Sequence, residues 1–493
     1  MDVQDGGKKE IHVLLVAFAS QGHLNPILRL GKRLALKGLA VTIATTDVAR
    51  QRLVSSNNIP SSTTTTDAVS ITVDFNTYIS IEFFSDGWDH YGQSSSLDNY
   101  MDCIGKFGPK NLSSLMDNWS QGGQRRFSCI INNPFVPWVA DVAAEHGIPC
   151  AMLWIQPCSL YAIYYRFYNN LNTFPLSEDP NMSINLPGLP LLRYEDLPSF
   201  VLPTNPFGSF PKLLSDMFKS MEKLKWVLGT SFYELEKDAV ESMAELCPIR
   251  PIGPLVPSLL LGDEESNDIG VDMWKPDETC INWLDTKPNS TVIYVSLGSI
   301  TVLSAKQMKE LAFGLKNSKR SFLWVVKPSE SPTTEDEGKL PTGFIEDVEG
   351  QGLVVRWCPQ TKVLIHPAIS CFITHCGWNS TLEVVASGVP VIGFPQWSDQ
   401  PTNAKLITDV FQTGIRFKPD HDGLVNKEEV EGCIDEILDG PKAEEFRKRG
   451  LELKNAARKA VMDGGSSDRH IQMFIDELIS QDSIPLMSST ATE

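Results

Sequence analysis

The chain has 493 residues, 42% of them hydrophobic and 21% charged, the composition of a folded globular protein too long for one core and suited to two domains. Its 43 basic against 61 acidic residues give a formal charge of −18, which excludes a nucleic-acid partner and argues against an anionic membrane surface. Ten cysteines without a CxxC pair, and a polar start with no apolar run long enough to span a bilayer, point to a reduced cytoplasmic protein with no membrane insertion.

The apolar run Ile11–Phe18 reads as a strand buried on both faces. The short loop Ala19-Ser-Gln-Gly-His23 leads into a helical stripe of Leu24, Ile27, Leu28, Leu34 and Leu36, with Gly31 on the same stripe to let the helix approach a sheet. Gly38 ends the helix and Leu39–Thr45 is the next strand, completing a βαβ unit. Further buried strands are predicted at Ser128–Ile131, Pro149–Trp154 and Trp226–Ser231, with long surface loops across the Pro-, Asn- and Ser-rich stretch from Pro175 to Phe207. Pro248 to Asp277, rich in proline and acidic residues, reads as an interdomain linker.

A second alternation begins with the strand Thr291–Ser296, followed by a helix capped by Ser304 and running to about Ser318. Strands follow at Phe322–Val326, Leu353–Arg356, Cys371–Thr374 and Val389–Phe394, and amphipathic helices near Lys427–Leu438, Ala443–Met462 and after Gly464-Gly-Ser-Ser-Asp468. Two doubly wound α/β halves enclose a cleft, and ligands bind where strand carboxyl ends face it.

The segment from Trp357 to Gln400 concentrates the chemistry. Trp357, after a strand, offers an indole for stacking on a base, and Gln360 lies one turn later with hydrogen-bonding reach. His375-Cys-Gly-Trp-Asn-Ser380 joins a strand to a helix, so helix amides with Asn379 and Ser380 are placed to hold a diphosphate. Glu383, four residues beyond Asn379, shares its helix face and suits a ribose hydroxyl, while Asp399-Gln400 suits sugar hydroxyls. Plainer alternatives exist for each residue alone: packing for Trp357, a helix N-cap for Asn379-Ser380, and another for Asp399. The spacing of the whole set favours the binding site.

That segment closely resembles the plant secondary-product glycosyltransferase signature, which starts at Trp, contains HCGWNS and ends in Asp-Gln. The resemblance extends through Gly22-His23, Gly229–Glu236 and the GGSS turn at Gly464–Ser467, and places the chain beside the family 1 UDP-glycosyltransferases. It implies the GT-B fold, two Rossmann-like domains facing a cleft, and inverting transfer from a UDP-sugar without metal or other cofactor. By position, Trp357 stacks on uracil, Gln360 and Glu383 bind ribose, and His375, Asn379 and Ser380 contact the diphosphate, with Ser296 and Ser299 as further phosphate candidates. Cys358 and Gly377 are counted with the donor-binding residues; Trp378, Asp399 and Gln400 hold the sugar, and a terminal Gln is associated with glucose. The implied division is an acceptor-binding domain at 1–247, a linker at 248–277, a UDP-sugar-binding domain at 278–465, and at 466–493 a helix packing back toward the first domain, then a tail.

His23, at the end of the first strand, is the expected catalytic residue, since a neutral imidazole can accept a proton from an attacking hydroxyl. The family's histidine is oriented by an aspartate, and here that position falls on Asn133. Asn cannot stabilise an imidazolium by charge, so the base is weaker; an acceptor with a pKa of about 4 arrives already ionised and needs no strong base. FFSDG at Phe83–Gly87, NNPFVPW at Asn132–Trp138 and LWIQPC at Leu153–Cys158 resemble the glucose-ester-forming subgroup, whose members act on hydroxycinnamate, benzoate and indole-3-acetate.

The expected reaction is therefore glucose transfer from UDP-glucose to a small aromatic or indolic carboxylate. Alternatives are transfer to phenolic or alcoholic hydroxyls or carbon, or a catalytically silent UDP-sugar-binding protein. Phe84, Trp88, Gln156 and Trp397 are the expected acceptor-binding residues; the aromatic run Tyr161–Tyr168 is either pocket or core. Asp420-His-Asp422 matches a DxD pattern but reads as a solvated turn, so no metal is expected, and the partners are UDP-glucose and a small acceptor on a monomer.

Overall fold

A computed structural model describes residues 11–56, 58–74, 77–88, 96–121, 125–174, 182–205, 208–263, 269–271, 277–298, 301–327 and 337–482. The strands in chain order are β1 (His12–Val16), β2 (Ala40–Thr46), β3 (Val69–Asp74), β4 (Thr77–Phe84), β5 (Cys129–Asn132), β6 (Cys150–Trp154), β7 (Ser183–Ile184), β8 (Leu192–Arg193), β9 (Trp226–Gly229) and β10 (Arg250–Pro251). There follow β11 (Val292–Ser296), β12 (Ser321–Val325), β13 (Gly352–Val355), β14 (Ile369–Thr374), β15 (Val391–Gly393) and β16 (Gly414–Arg416).

One sheet runs β10-β9-β6-β5-β1-β2-β4-β3, parallel except for the β3–β4 hairpin. The other runs β13-β12-β11-β14-β15-β16, all parallel. Both sheets are covered on two faces, which is why their strands are apolar throughout. In β1, Leu14 and Val16 enter one core cluster while Val13 and Leu15 enter another. In β11 the alternation repeats, with Ile293 and Val295 on one side and Val292 and Tyr294 on the other.

Chain order reverses between β1 and β5 in the first sheet and between β11 and β14 in the second. At such a reversal neighbouring strands send their loops to opposite faces, leaving a crevice beyond their carboxyl ends. His23 and Asn133 follow β1 and β5, while Ser296 ends β11 and His375 follows β14. The two crevices therefore carry the predicted chemistry, and the architecture is GT-B.

The structure departs from the sequence reading in three places. The β3–β4 hairpin and the helix Leu97–Ser120 go beyond the expected elements. Within the stretch expected as surface loop, Leu186, Leu192, Leu197 and Phe200 are buried, because β7, β8 and two short 3-10 turns fold it onto the core; its residues 175–181 and 206–207 lie outside the described set. The expected linker starts inside the first sheet, where Arg250–Pro251 pair with Leu228 and Gly229. At the far end of the chain, the helix Ser466–Asp482 inserts Ile471, Phe474, Ile475 and Leu478 into the core cluster of Val13 and Leu15.

The helix Cys158–Tyr168 begins after Pro157, which has no side chain to cap it. Its orphan amides are taken up by Glu236, whose carboxylate accepts from Cys158 N at 3.0 Å, Ser159 N at 2.9 Å and Ser159 Oγ at 2.8 Å. Glu236→Ala is expected to cost about 2 kcal/mol, because it strands these buried donors, and to lower the melting temperature in calorimetry without changing sheet content by circular dichroism.

Candidate active site

The carboxyl ends of β11 and β14 open into a cavity of about 430 Å³ shared by both domains. One end is formed by Trp357, Cys358, Gln360 and Glu383. Tyr294, stacked on Phe372 at 4.5 Å, donates its hydroxyl to Gln360 Oε1 at 2.9 Å. The amide Nε2 is thereby turned to donate to Glu383 Oε2 at 2.6 Å and Ser380 Oγ at 3.3 Å. A carboxylate and an amide are thus fixed side by side, as two ribose hydroxyls require. Tyr294 was missed by sequence reasoning; an aromatic in a buried strand carries no signal that distinguishes it from core.

In the middle of the cavity lies the N-terminus of the helix Trp378–Ser387, capped by Gly377 without a side-chain hydrogen bond. Asn379 is not an N-cap; its Nδ2 crosses the cleft to donate to Gly22 O at 2.8 Å. Ser296 and Ser380 line the same space, and Ser299 lies outside the described residues. His375 is half-buried, and desolvation lowers its pKa to about 4, so the imidazole is neutral near pH 7. Its ring fits because Gly298 and Gly377 carry no Cβ: one added to either would lie 2.6 or 2.4 Å from Nε2.

The turn from Trp397 to Gln400, expected from the sequence to hold the sugar, lies outside the residues that line this cavity. Gln400 Oε1 accepts from Gln396 N at 2.9 Å and Trp397 N at 3.2 Å, which directs its Nε2 outward from the turn. Asp399 provides no cap for the helix after it; its Oδ2 accepts from Asn403 Nδ2 at 2.7 Å, and burial raises its pKa. Trp378 is 3% exposed and donates Nε1 to Thr230 Oγ1 at 3.1 Å, another bond between the domains. Cys376 and Ser398, on the two loops of this site, have left-handed backbones with φ of 64° and 62°, conformations that cost a non-glycine residue on the order of 1 kcal/mol and persist where surrounding contacts impose them.

Across the cleft, His23 Nδ1 lies 2.7 Å from Asn133 Oδ1. The same oxygen accepts from Phe135 N at 3.1 Å, which fixes the amide orientation. The proton of the histidine must therefore sit on Nδ1, leaving the Nε2 lone pair as acceptor. Burial lowers this pKa to about 4, with the Asn133 hydrogen bond opposing the shift. Asp86 is bonded elsewhere, to Tyr100 Oη at 3.1 Å and Trp88 N at 3.1 Å.

An aromatic wall leads away from His23. Phe18 and Phe135 lie 5.0 and 4.4 Å from the imidazole; Phe135 meets Phe210 at 5.0 Å, Phe210 stacks on Phe200 at 5.0 Å, and Phe200 reaches Trp397 at 6.3 Å. Of these, sequence reasoning named Trp397 alone. Trp88 is half-buried against Tyr100 at 5.2 Å, Gln156 is half-buried after β6, and Phe84 is 3% exposed with its ring edge-on to Trp138. Tyr161 and Tyr164 are wholly buried, so that part of the aromatic run is core. Among the described residues Asp420-His421-Asp422 is exposed, and Asp420 Oδ1 is engaged by the backbone of Asp422 and Leu424.

A cavity between two Rossmann-like domains, lined by Trp357, Gln360, His375, Asn379, Ser380 and Glu383, is the arrangement of a nucleotide-sugar transferase. The chain belongs to the UDP-glucosyltransferase family: residues 268–446 match the family model described as UDP-glucoronosyl and UDP-glucosyl transferase, and curated members align along almost the whole chain. It is 41% identical to limonoid UDP-glucosyltransferase of Citrus unshiu, over 99% of this chain and 93% of that protein. It is 42% identical to gallate 1-beta-glucosyltransferase of Quercus robur, over 96% and 91%, and 41% identical to cinnamate beta-D-glucosyltransferase of Fragaria ananassa, over 96% and 83%. The structure of Os79 from O. sativa in complex with UDP superposes with a TM-score of 0.82 at 31% identity, covering 94% of this chain and all of that one. The chain is thus a plant-type UDP-glucosyltransferase close to the glucose-ester-forming members.

Gly298 has φ of 79° and no room for a Cβ beside His375. Gly298→Ala is expected to weaken UDP binding at least about tenfold, measured by calorimetry, since a misplaced contact of 1.4 kcal/mol corresponds to that factor.

Proposed function

We propose that the enzyme transfers glucose from UDP-glucose, with inversion, to a small aromatic or indolic carboxylic acid, forming a 1-O-acyl glucose ester. The observation that carries this reading is the His23–Asn133 pair: a neutral, weakly basic histidine held by an uncharged amide. A carboxylate of ordinary pKa is ionised wherever His23 is neutral, so the two are compatible across the physiological range. The carboxylate oxygen forms the new bond to the anomeric carbon as the bond to the diphosphate breaks, and UDP leaves with the electron pair. No proton is removed. Phe135, 4.4 Å from the imidazole, offers its ring to orient the acceptor, and the uncharged amide of Asn133 spares a carboxylate the like charge an aspartate would bring.

Trp357, Cys358, Gln360 and Glu383 then hold the nucleoside, Ser296, His375, Gly377, Asn379 and Ser380 the diphosphate, and Trp378, Asp399 and Gln400 the glucose. The first domain supplies the acceptor site, with Trp397 reaching it from the second. The relatives named for gallate and cinnamate support the acid class. No helix among the described residues is long and apolar enough to cross a membrane, and we infer a cytoplasmic monomer that acts without a metal.

Incubation with UDP-glucose and a panel of aromatic acids and phenols is expected to yield acyl glucoses, recognised by their cleavage in mild alkali or hydroxylamine. Exclusively alkali-stable products would replace this reading with O- or C-glucoside formation, and no UDP release with any acceptor would indicate a binding protein.

Asn133→Asp is expected to raise the His23 pKa above about 4. For phenolic acceptors, which need the neutral imidazole as base, the acid limb of the pH–rate profile moves to higher pH. The added charge also repels carboxylate acceptors and strengthens the base for phenols, so the acid-to-phenol ratio of kcat/KM falls by roughly tenfold.

A further inference from the structure

The sugar-binding turn is held from the opposite domain. Ser398, whose left-handed backbone places Asp399 and Gln400, has its N–H bonded to Ser199 Oγ at 2.9 Å and its carbonyl bonded to Ser199 N at 2.9 Å. Both polar groups of one strained residue are therefore satisfied by one residue of the other domain. Ser199 itself is anchored close by. Asp196, three residues earlier and 4% exposed, bonds Arg416 at 3.1 Å and faces Lys405 at 3.8 Å, and its carbonyl accepts from Thr402 Oγ1 at 2.7 Å. Thr402 and Lys405 lie on the helix Gln400–Lys405 that continues from the Trp397–Gln400 turn, and Arg416 ends β16.

On its other side the same segment reaches the aromatic wall. Phe200, adjacent to Ser199, stacks on Phe210 with an interplanar angle of 4° and meets Trp397 edge-on. An alternative role as a plain interdomain latch would be served by Asp196 with Arg416 and Lys405; it would not need a second residue gripping both backbone groups of Ser398.

We propose that Ser199 is a positioning residue for the donor sugar: it sets the Ser398 backbone, and through it the aim of Asp399 and Gln400, so that hexose selectivity is determined partly by the acceptor-binding domain. This rests on the reading of Asp399 and Gln400 as the glucose-binding pair. A hydroxyl at residue 199 is required because Ser398 N–H is enclosed and needs an acceptor.

The test compares Ser199→Ala, Ser199→Thr and Gln400→Ala in the full-length enzyme. Ser199→Ala is expected to raise KM for UDP-glucose severalfold and to narrow the preference for UDP-glucose over UDP-galactose, while calorimetric affinity for UDP, which lacks the sugar, stays unchanged. Ser199→Thr keeps the hydroxyl and restores the parental preference. The inference is overturned if Ser199→Ala leaves the hexose preference intact, or if affinities for UDP and UDP-glucose fall equally, which is the signature of a plain latch. If Gln400→Ala also leaves hexose preference intact, it is the assignment of the sugar-binding pair that fails.

Discussion

The site depends on two helix N-termini brought face to face. The helix Gln21–Leu36 and the helix Trp378–Ser387 belong to different domains, yet Gly22 O and Asn379 Nδ2 are 2.8 Å apart. Each N-terminus carries a partial positive charge. Opposed without an anion they repel; with a diphosphate near them both are stabilised. A diphosphate placed there would meet two local dipoles that oppose the field of a chain of net charge −18. The same apposition sets His23, the third residue of the first helix, directly after the Gly22 that meets Asn379.

Much of this was legible in the sequence because it depends on local order. Buried parallel strands appear as apolar runs, and the expected donor residues other than Ser296 and Ser299 occupy one stretch of 44 positions from Trp357 to Gln400, so their spacing groups them. Asn133 was also legible, as a departure from an expected residue. What stayed hidden was set by contacts distant in sequence. Phe18, Phe135, Phe200 and Phe210 form one wall only after four separate segments meet. Tyr294 orients Gln360 from a strand 66 residues away, and Ser199 lies in a stretch whose prolines and asparagines signalled loop while Leu186, Leu192 and Leu197 packed inward.

Two histidines of the site show how burial assigns chemistry. His23 and His375 both have pKa values lowered to about 4 by desolvation, and both are neutral at physiological pH. Their partners separate them. His23 spends its Nδ1 proton on Asn133 and keeps a lone pair toward the acceptor. His375 is wedged between two glycines beside the helix N-terminus, where its position rather than its basicity matters. Neutrality keeps either ring from competing with the helix dipoles as a counter-ion.

The helix Ser466–Asp482 has a consequence for synthesis. Four of its apolar side chains, each at most 4% exposed, complete the core beneath β1, and each is worth roughly 2 kcal/mol of burial. The first domain therefore leaves the ribosome with an unfilled groove and stays incomplete while more than two hundred residues of the second are made. Completion of that core waits for the last helix, and a ribosome that stalls before residue 466 leaves an apolar groove exposed to chaperones and proteases.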